Sequence, residues 1–132
     1  MEGQKKNYIE VWDLEAYKFA RQYSKNGWKI YKTLDWQTKK IMGDQMIESV
    51  DSVGANIAEG YGRFHYLDKN KFYYNGRGSL LESRHWIGLL FEREFICQEE
   101  FNQMKELAEN IEFKINSLIK SQLNSKKLGI GN

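Results

Sequence analysis

No proline interrupts the 132 residues of this chain. Inside a helix, proline removes a hydrogen bond and clashes with the preceding turn, so a chain without it is free to run long helices joined by short connections. Apolar spacing says where they run. From Gln98 to Leu123 the apolar residues include Met104, Leu107, Ala108, Ile111, Ile115, Leu118 and Ile119. At 100° per residue these occupy an arc of roughly 120°, the stripe of a helix with one buried face. Glu99, Glu100 and Glu106 crowd its start and Lys114 and Lys120 lie toward its end, which complements the helix dipole.

The same period predicts three earlier helices, over residues 13–34, 35–61 and 68–95, with a frayed, disordered tail at 125–132. The second carries Met42, Met46, Val50, Val53, Ile57 and Tyr61 on one arc, with Gly54 and Ala58 at its border to allow close backbone approach. Gly62 reads as a left-handed cap that ends it. In the third, Tyr73-Tyr74-Asn75-Gly76 is a hairpin-like string. The helical period of Phe72, Gly76, Ser79, Leu80, Ser83, Trp86, Ile87 and Leu90 runs across it and decides for helix. Gly76, Ser79 and Ser83 then form a small-residue track against a neighbour. The expected fold is a single all-α domain over residues 1–132, a four-helix bundle.

The first helix divides into two kinds of surface. Lys18, Arg21, Lys25, Lys29 and Lys32 recur every three or four residues with no acid between Lys18 and Leu34, and Lys39 and Lys40 follow the turn. On a helix the five form a ridge within roughly 80°, where like charges repel unless something neutralises them. That partner is a polyanion such as a phosphate backbone, or the acids of a neighbouring helix or subunit. The chain as a whole has 20 basic and 18 acidic residues, so the arrangement matters more than the total. The other surface is broad and apolar. Tyr17, Ala20, Gly27, Trp28 and Tyr31 face one way, and Trp12, Ala16, Phe19, Tyr23 and Ile30 continue around the cylinder. Together they cover roughly 180°, more than one bundle core requires. Self-association through Trp12, Phe19, Tyr23 and Ile30 is therefore expected.

Several function classes find no support. Gly60-Tyr61-Gly62 lacks the third glycine and the preceding strand of a dinucleotide fingerprint. The single Cys97 excludes an internal disulfide and a multi-cysteine zinc site. Glu82-Ser83-Arg84-His85 is one Glu-x-x-His unit, whereas a di-iron bundle needs two, plus two further glutamates. No catalytic residue, metal or cofactor is expected, and the chain is read as a non-enzyme. No apolar run is long enough to span a bilayer. Met1–Asn7 is polar and basic, so no secretory signal is expected, and a cytoplasmic location is the default.

The string Ser52-Val53-Gly54-Ala55-Asn56-Ile57-Ala58-Glu59-Gly60-Tyr61-Gly62-Arg63 resembles the signature of the 23S ribosomal RNA intervening-sequence proteins. Val11-Trp12 with Ala16, Gln45, and Gly78-Ser79-Leu80 followed by Glu82 are similar to further family segments, and the resemblance covers about residues 9–121. Ile47-Glu48 stand where the family often has two arginines, and Gly54 where it often has proline. The resemblance implies an antiparallel up-down-up-down bundle and a homo-oligomer, a pentameric ring. It also implies bacterial relatives, among them the accessory variability determinant proteins of diversity-generating retroelements, which bind nucleic acid and work with a reverse transcriptase. Within the signature, Asn56 and Glu59 suit hydrogen bonds to the third helix or a neighbouring subunit. Arg63 suits a pair with Glu59 or a phosphate contact, and Gly60, Tyr61 and Gly62 complete the motif.

Two functions follow as expectations. The first is a non-catalytic oligomeric scaffold that binds nucleic acid, structured RNA or DNA, through Lys18, Arg21, Lys25, Lys29, Lys32, Lys39 and Lys40. The second is a protein-interaction module that docks a polymerase or reverse transcriptase without touching nucleic acid.

Overall fold

The computed structural model of the protein describes residues 9–127, with side chains through Ser125. The expectations for Met1–Asn7 and for the tail beyond Lys127 lie outside the described residues. Within them the chain is helical throughout, with no strand. A 3-10 turn, Val11–Asp13, leads into α1, Glu15–Thr33. The next helix, α2, is built from three pieces that run on without a break: Trp36–Thr38, a π-helical turn Lys39–Gly43, and Asp44–Tyr61. Two further helices follow: α3, Tyr66–Glu92, and α4, Gln98–Lys127. The fourth helix thus continues through Ser125–Lys127, which the sequence reading placed in the tail.

Each helix packs on two others: α1 on α2 and α4, and α3 on α2 and α4. This closed order explains the broad apolar arc of α1. Tyr23 and Ile30, expected at a subunit interface, have 0% and 2% of their surface exposed and lie in the core with Ala16 and Ala20. Two neighbours within the same chain use the width that self-association was invoked to explain. The tyrosine also crosses the core diagonally. Its hydroxyl meets Ser83 Oγ on α3 at 2.7 Å. Ser83 donates its one proton to Leu80 O at 2.7 Å, so Tyr23 is the donor to Ser83. Burial pushes the Tyr23 hydroxyl up to about 12, because the phenolate would be stranded away from water.

Glycines set how closely the helices approach. A Cβ added at Gly54 would sit 3.5 Å from Ala20 Cβ, and one at Gly27 3.0 Å from Val50 Cγ1. Along α1 and α2 the neighbours pair in opposite order: Leu34 with Gly43, Gly27 with Val50, Ala20 with Gly54. Gly76 faces Asn56, and Ser83 is fully buried, so two of the three residues in the expected small-residue track lie at close approaches.

The helix ends follow local chemistry. Asp35 caps α2, accepting from Thr38 N at 2.8 Å and Thr38 Oγ1 at 3.1 Å. The backbone bond from Thr38 holds the Asp35 carboxyl below its usual range. Cys97 N donates to Glu100 Oε1 at 2.9 Å, the backward half of a capping box opening α4. Gly62 is not the left-handed cap that was expected; its φ is −78°. The left-handed residue is Glu94, at φ 65°, after α3. There Phe95 N donates to Leu90 O and Glu94 N to Phe91 O, the pair of hydrogen bonds of a Schellman turn, with glutamate where glycine is usual. No helix of the described residues is long and apolar enough to cross a membrane.

Candidate nucleic-acid interface

The α1 backbone fixes where the cations go. With Ala16, Ala20, Tyr23, Gly27 and Ile30 buried, a residue period of 100° puts Lys18, Arg21, Lys25, Lys29 and Lys32 about 180° away, on the outer face. All five are exposed. Lys18 to Lys32 spans about 21 Å at 1.5 Å per residue. None of the five forms an ion pair with another described residue. Arg21 instead donates to Tyr17 Oη at 2.9 Å and lies over that ring at 5.7 Å.

The π-helical turn extends the cationic surface. Lys39 Nζ lies 4.9 Å from the Tyr31 ring centroid, and Lys40 Nζ lies 4.9 Å from that of Trp36. Lys39 is half-buried and Lys40 exposed. Tyr31 also stacks on Trp28, with centroids 5.3 Å apart, and donates to Asp44 Oδ1 at 2.7 Å. That bond to a carboxylate is the main reason the Tyr31 hydroxyl titrates above its usual value. No spacing of residues marks the π turn. Gly43 closes it, where an added Cβ would sit 3.0 Å from Leu34 Cδ1 and 3.3 Å from Tyr31 Cε1.

Beside the ridge lies an open groove of about 640 Å³ lined by Trp12, Tyr17, Lys18, Arg21, Lys25, Trp28 and Asp51, with Gln22 and Ser24. Trp12 is 62% exposed and Trp28 50%. The Trp12 ring meets Tyr17 edge-on at 5.9 Å. Asp51, on the outer face of α2, makes no ion pair or hydrogen bond with a described residue. No pattern of charges along α1 points to it, because it enters the site from another helix. Of the four residues expected at a subunit interface, only Trp12 is fully on the surface; Phe19 is half-buried against the core.

The signature residues at the end of α2 make contacts within the chain. Of the two expected partners for Asn56, α3 or a neighbouring subunit, the described residues show neither bond; its Nδ2 donates to Ser52 O at 2.9 Å, within its own helix. Glu59 pairs with Arg63 at 2.7 Å, and Arg63 also lies 4.7 Å over the Phe72 ring. Gly60 faces the buried Tyr73, whose Cε1 would be 2.7 Å from an added Cβ. Tyr61 Oη donates to Ile9 O. Lys69 Nζ donates to Tyr61 O at 2.8 Å, closing the end of α2 with a cation, as the helix dipole favours. Partial burial draws the Lys69 ammonium below its usual range. Glu82 accepts from Trp86 Nε1 at 3.2 Å and His85 packs edge-on against Trp86, so both members of the Glu-x-x-His unit are engaged with one indole.

Comparison with known proteins bears on the family and the fold. The family described as 23S rRNA-intervening sequence protein matches residues 12–117. A crystal structure of a protein of unknown function from the S23 ribosomal protein family of Bacteroides thetaiotaomicron is similar in fold. Its TM-score is 0.74 at 23% identity, covering 79% of this chain and 97% of that one. No curated protein matches.

Proposed function

Because the chain belongs to the 23S rRNA-intervening sequence protein family, and a solved protein of similar fold is of unknown function, we propose that it is a non-catalytic helical scaffold that binds nucleic acid, structured RNA foremost, through the α1 ridge. The observation that carries this reading is the state of the five cations: all outward, none neutralised by a carboxylate of the described residues. Phosphates relieve their mutual repulsion and release counterions on binding. Such contacts position a nucleic acid and read little sequence. Fluorescence anisotropy with a labelled RNA hairpin tests it. Lys25→Glu/Lys29→Glu is expected to abolish binding while leaving the fold intact, since both side chains are exposed. Parent-like binding by that variant overturns the proposal.

The same reading takes the bundle as antiparallel up-down-up-down, supported by the opposite order of the α1 and α2 neighbours, and the protein as a homo-oligomer, a pentamer by family resemblance. Exposed Leu81 on α3 and Phe113 on α4 offer apolar surface for it, in place of the buried Tyr23 and Ile30. A second reading, docking onto a reverse transcriptase or other polymerase in the manner of the retroelement accessory proteins, is favoured by Phe64 and Leu67. These large apolar side chains stand exposed at the α2–α3 connection. Co-purification of a protein that survives nuclease treatment and is lost in Phe64→Ser/Leu67→Ser supports that alternative.

A further inference from the structure

The ridge explains attraction to phosphate but not the groove beside it. A surface for duplex backbone alone needs cations. Here the cations form one wall and aromatic rings mark the ends. Trp12 stands by Tyr17 at one end. Trp28 lies further along α1, about 16 Å from Tyr17 at 1.5 Å per residue. Both indoles are half or more exposed, although each could have been buried for a large gain in apolar contact. Tyr31 supports Trp28 in a parallel stack at 5.3 Å, with the planes 17° apart, which orients the indole without covering it. The other wall carries Asp51. A carboxylate weakens a pure phosphate site by repulsion, but it is a good acceptor for the amino groups of bases.

We propose that the groove between Trp12 and Trp28 takes unpaired nucleotides of a single-stranded segment, bases stacked on the indoles, phosphates on Lys18, Arg21 and Lys25, and a base amino group donating to Asp51. The inference rests on the nucleic-acid reading above and names its substrate class: loops and single strands in preference to helical stems. In a paired stem the base faces are covered by their neighbours and cannot reach the indoles. In a single strand they are free, and stacking on aromatic side chains tolerates any base. Asp51 then adds a preference for bases with an amino group over uracil.

The test uses the full chain and three labelled probes: a cytidine dodecamer, a uridine dodecamer, and an RNA duplex of the same strand length. The cytidine strand is expected to bind more tightly than the duplex and to quench tryptophan fluorescence. Trp28→Ala and Trp12→Ala are each expected to weaken single-strand binding by about five-fold or more, the lower end of a base–aromatic contact, with duplex binding unchanged. Asp51→Asn is expected to narrow the cytidine-over-uridine ratio. Equal binding of strand and duplex, with both tryptophan variants behaving as the parent, overturns the groove proposal. In that case loss of all binding in Lys25→Glu/Lys29→Glu still upholds the ridge. If the parent binds none of the probes at low salt, or the lysine variant binds them all as the parent does, both proposals fall. Circular dichroism melts of the tryptophan variants should match the parent, since neither ring lies in the core.

Discussion

Gly60 offers a sharp quantitative test of why the signature string has its form. A Cβ at this position would sit 2.7 Å from Tyr73 Cε1, 2.9 Å from Tyr73 Cδ1 and 3.0 Å from Lys69 O. Ordinary contact needs at least 3.4 Å, so something must move by several tenths of an ångström. The ring has no room to yield, because Tyr73 is 1% exposed, and the carbonyl belongs to the α3 backbone. Overpacking typically costs about 1–3 kcal/mol, and a clash with both a buried ring and a backbone carbonyl falls in the upper part of that range, about 2–3 kcal/mol. Alanine returns about 1 kcal/mol in helix propensity over glycine. The net for Gly60→Ala is a loss of about 1–2 kcal/mol, or about 4–8 °C in Tm for a chain of this size. Gly78, in the middle of α3, has nothing within 4 Å of an added Cβ, so Gly78→Ala keeps the propensity gain and should raise Tm by about 4 °C. Thermal melts of both variants and the parent, at one protomer concentration because assembly shifts Tm, give opposite signs. A Gly60→Ala protein as stable as Gly78→Ala would refute the idea that close approach of α2 and α3 dictates the glycine.

Glu94→Gly should stabilise the protein by about 1 kcal/mol, because it places at φ 65° the residue that adopts this conformation without steric cost; urea midpoints read it, and an unchanged midpoint counts against the Schellman account. Tyr23→Phe should cost about 1 kcal/mol at neutral pH for the lost bond to Ser83, seen in the same denaturation assay. Alkaline pH supplies the companion test. The Tyr23 and Tyr73 hydroxyls are held at about 12 in the fold against 10 in the open chain. The neutral form is favoured in the fold, so their stabilisation is complete below pH 10 and is lost as pH rises toward 12. Stability should fall across that window, less steeply in Tyr23→Phe. For the proposed homo-oligomer, light scattering should find a mass above one protomer for the parent and one protomer for Leu81→Glu/Phe113→Glu; a parent of one-protomer mass counts against the oligomer, and an unchanged larger mass in the variant places the interface elsewhere.

What could be read in the sequence was whatever depends on one helix at a time. The stripe from Met104 to Ile119 needs no partner to be recognised. The helical period from Phe72 to Leu90 outweighed Asn75-Gly76 because α3 buries Gly76 and Leu80 in its interior. What could not be read depends on neighbours. The arc of α1 looked too wide because two helices of the same chain share it, and only packing separates buried Tyr23 and Ile30 from exposed Trp12 and Trp28. Asp51 joins the groove from α2, so no pattern within α1 announces it. Gly62 carried a cap signal, yet α2 ends with Lys69 on its carbonyls, a contact made across a turn. The end of α3 was placed too late because Glu94 adopts a glycine-like φ with no glycine to mark it.

The most direct measurement of the central claim is the salt dependence of binding to a single-stranded RNA. If Lys18, Arg21, Lys25, Lys29 and Lys32 each meet a phosphate, log K should fall with log salt at a slope of about −3.5. In Lys25→Gln/Lys29→Gln, which removes two contacts without adding charge, the slope should flatten to about −2. A parent slope near zero, or a steep slope that the double variant leaves unchanged, would contradict the claim that the outer face of α1 is where the polyanion sits.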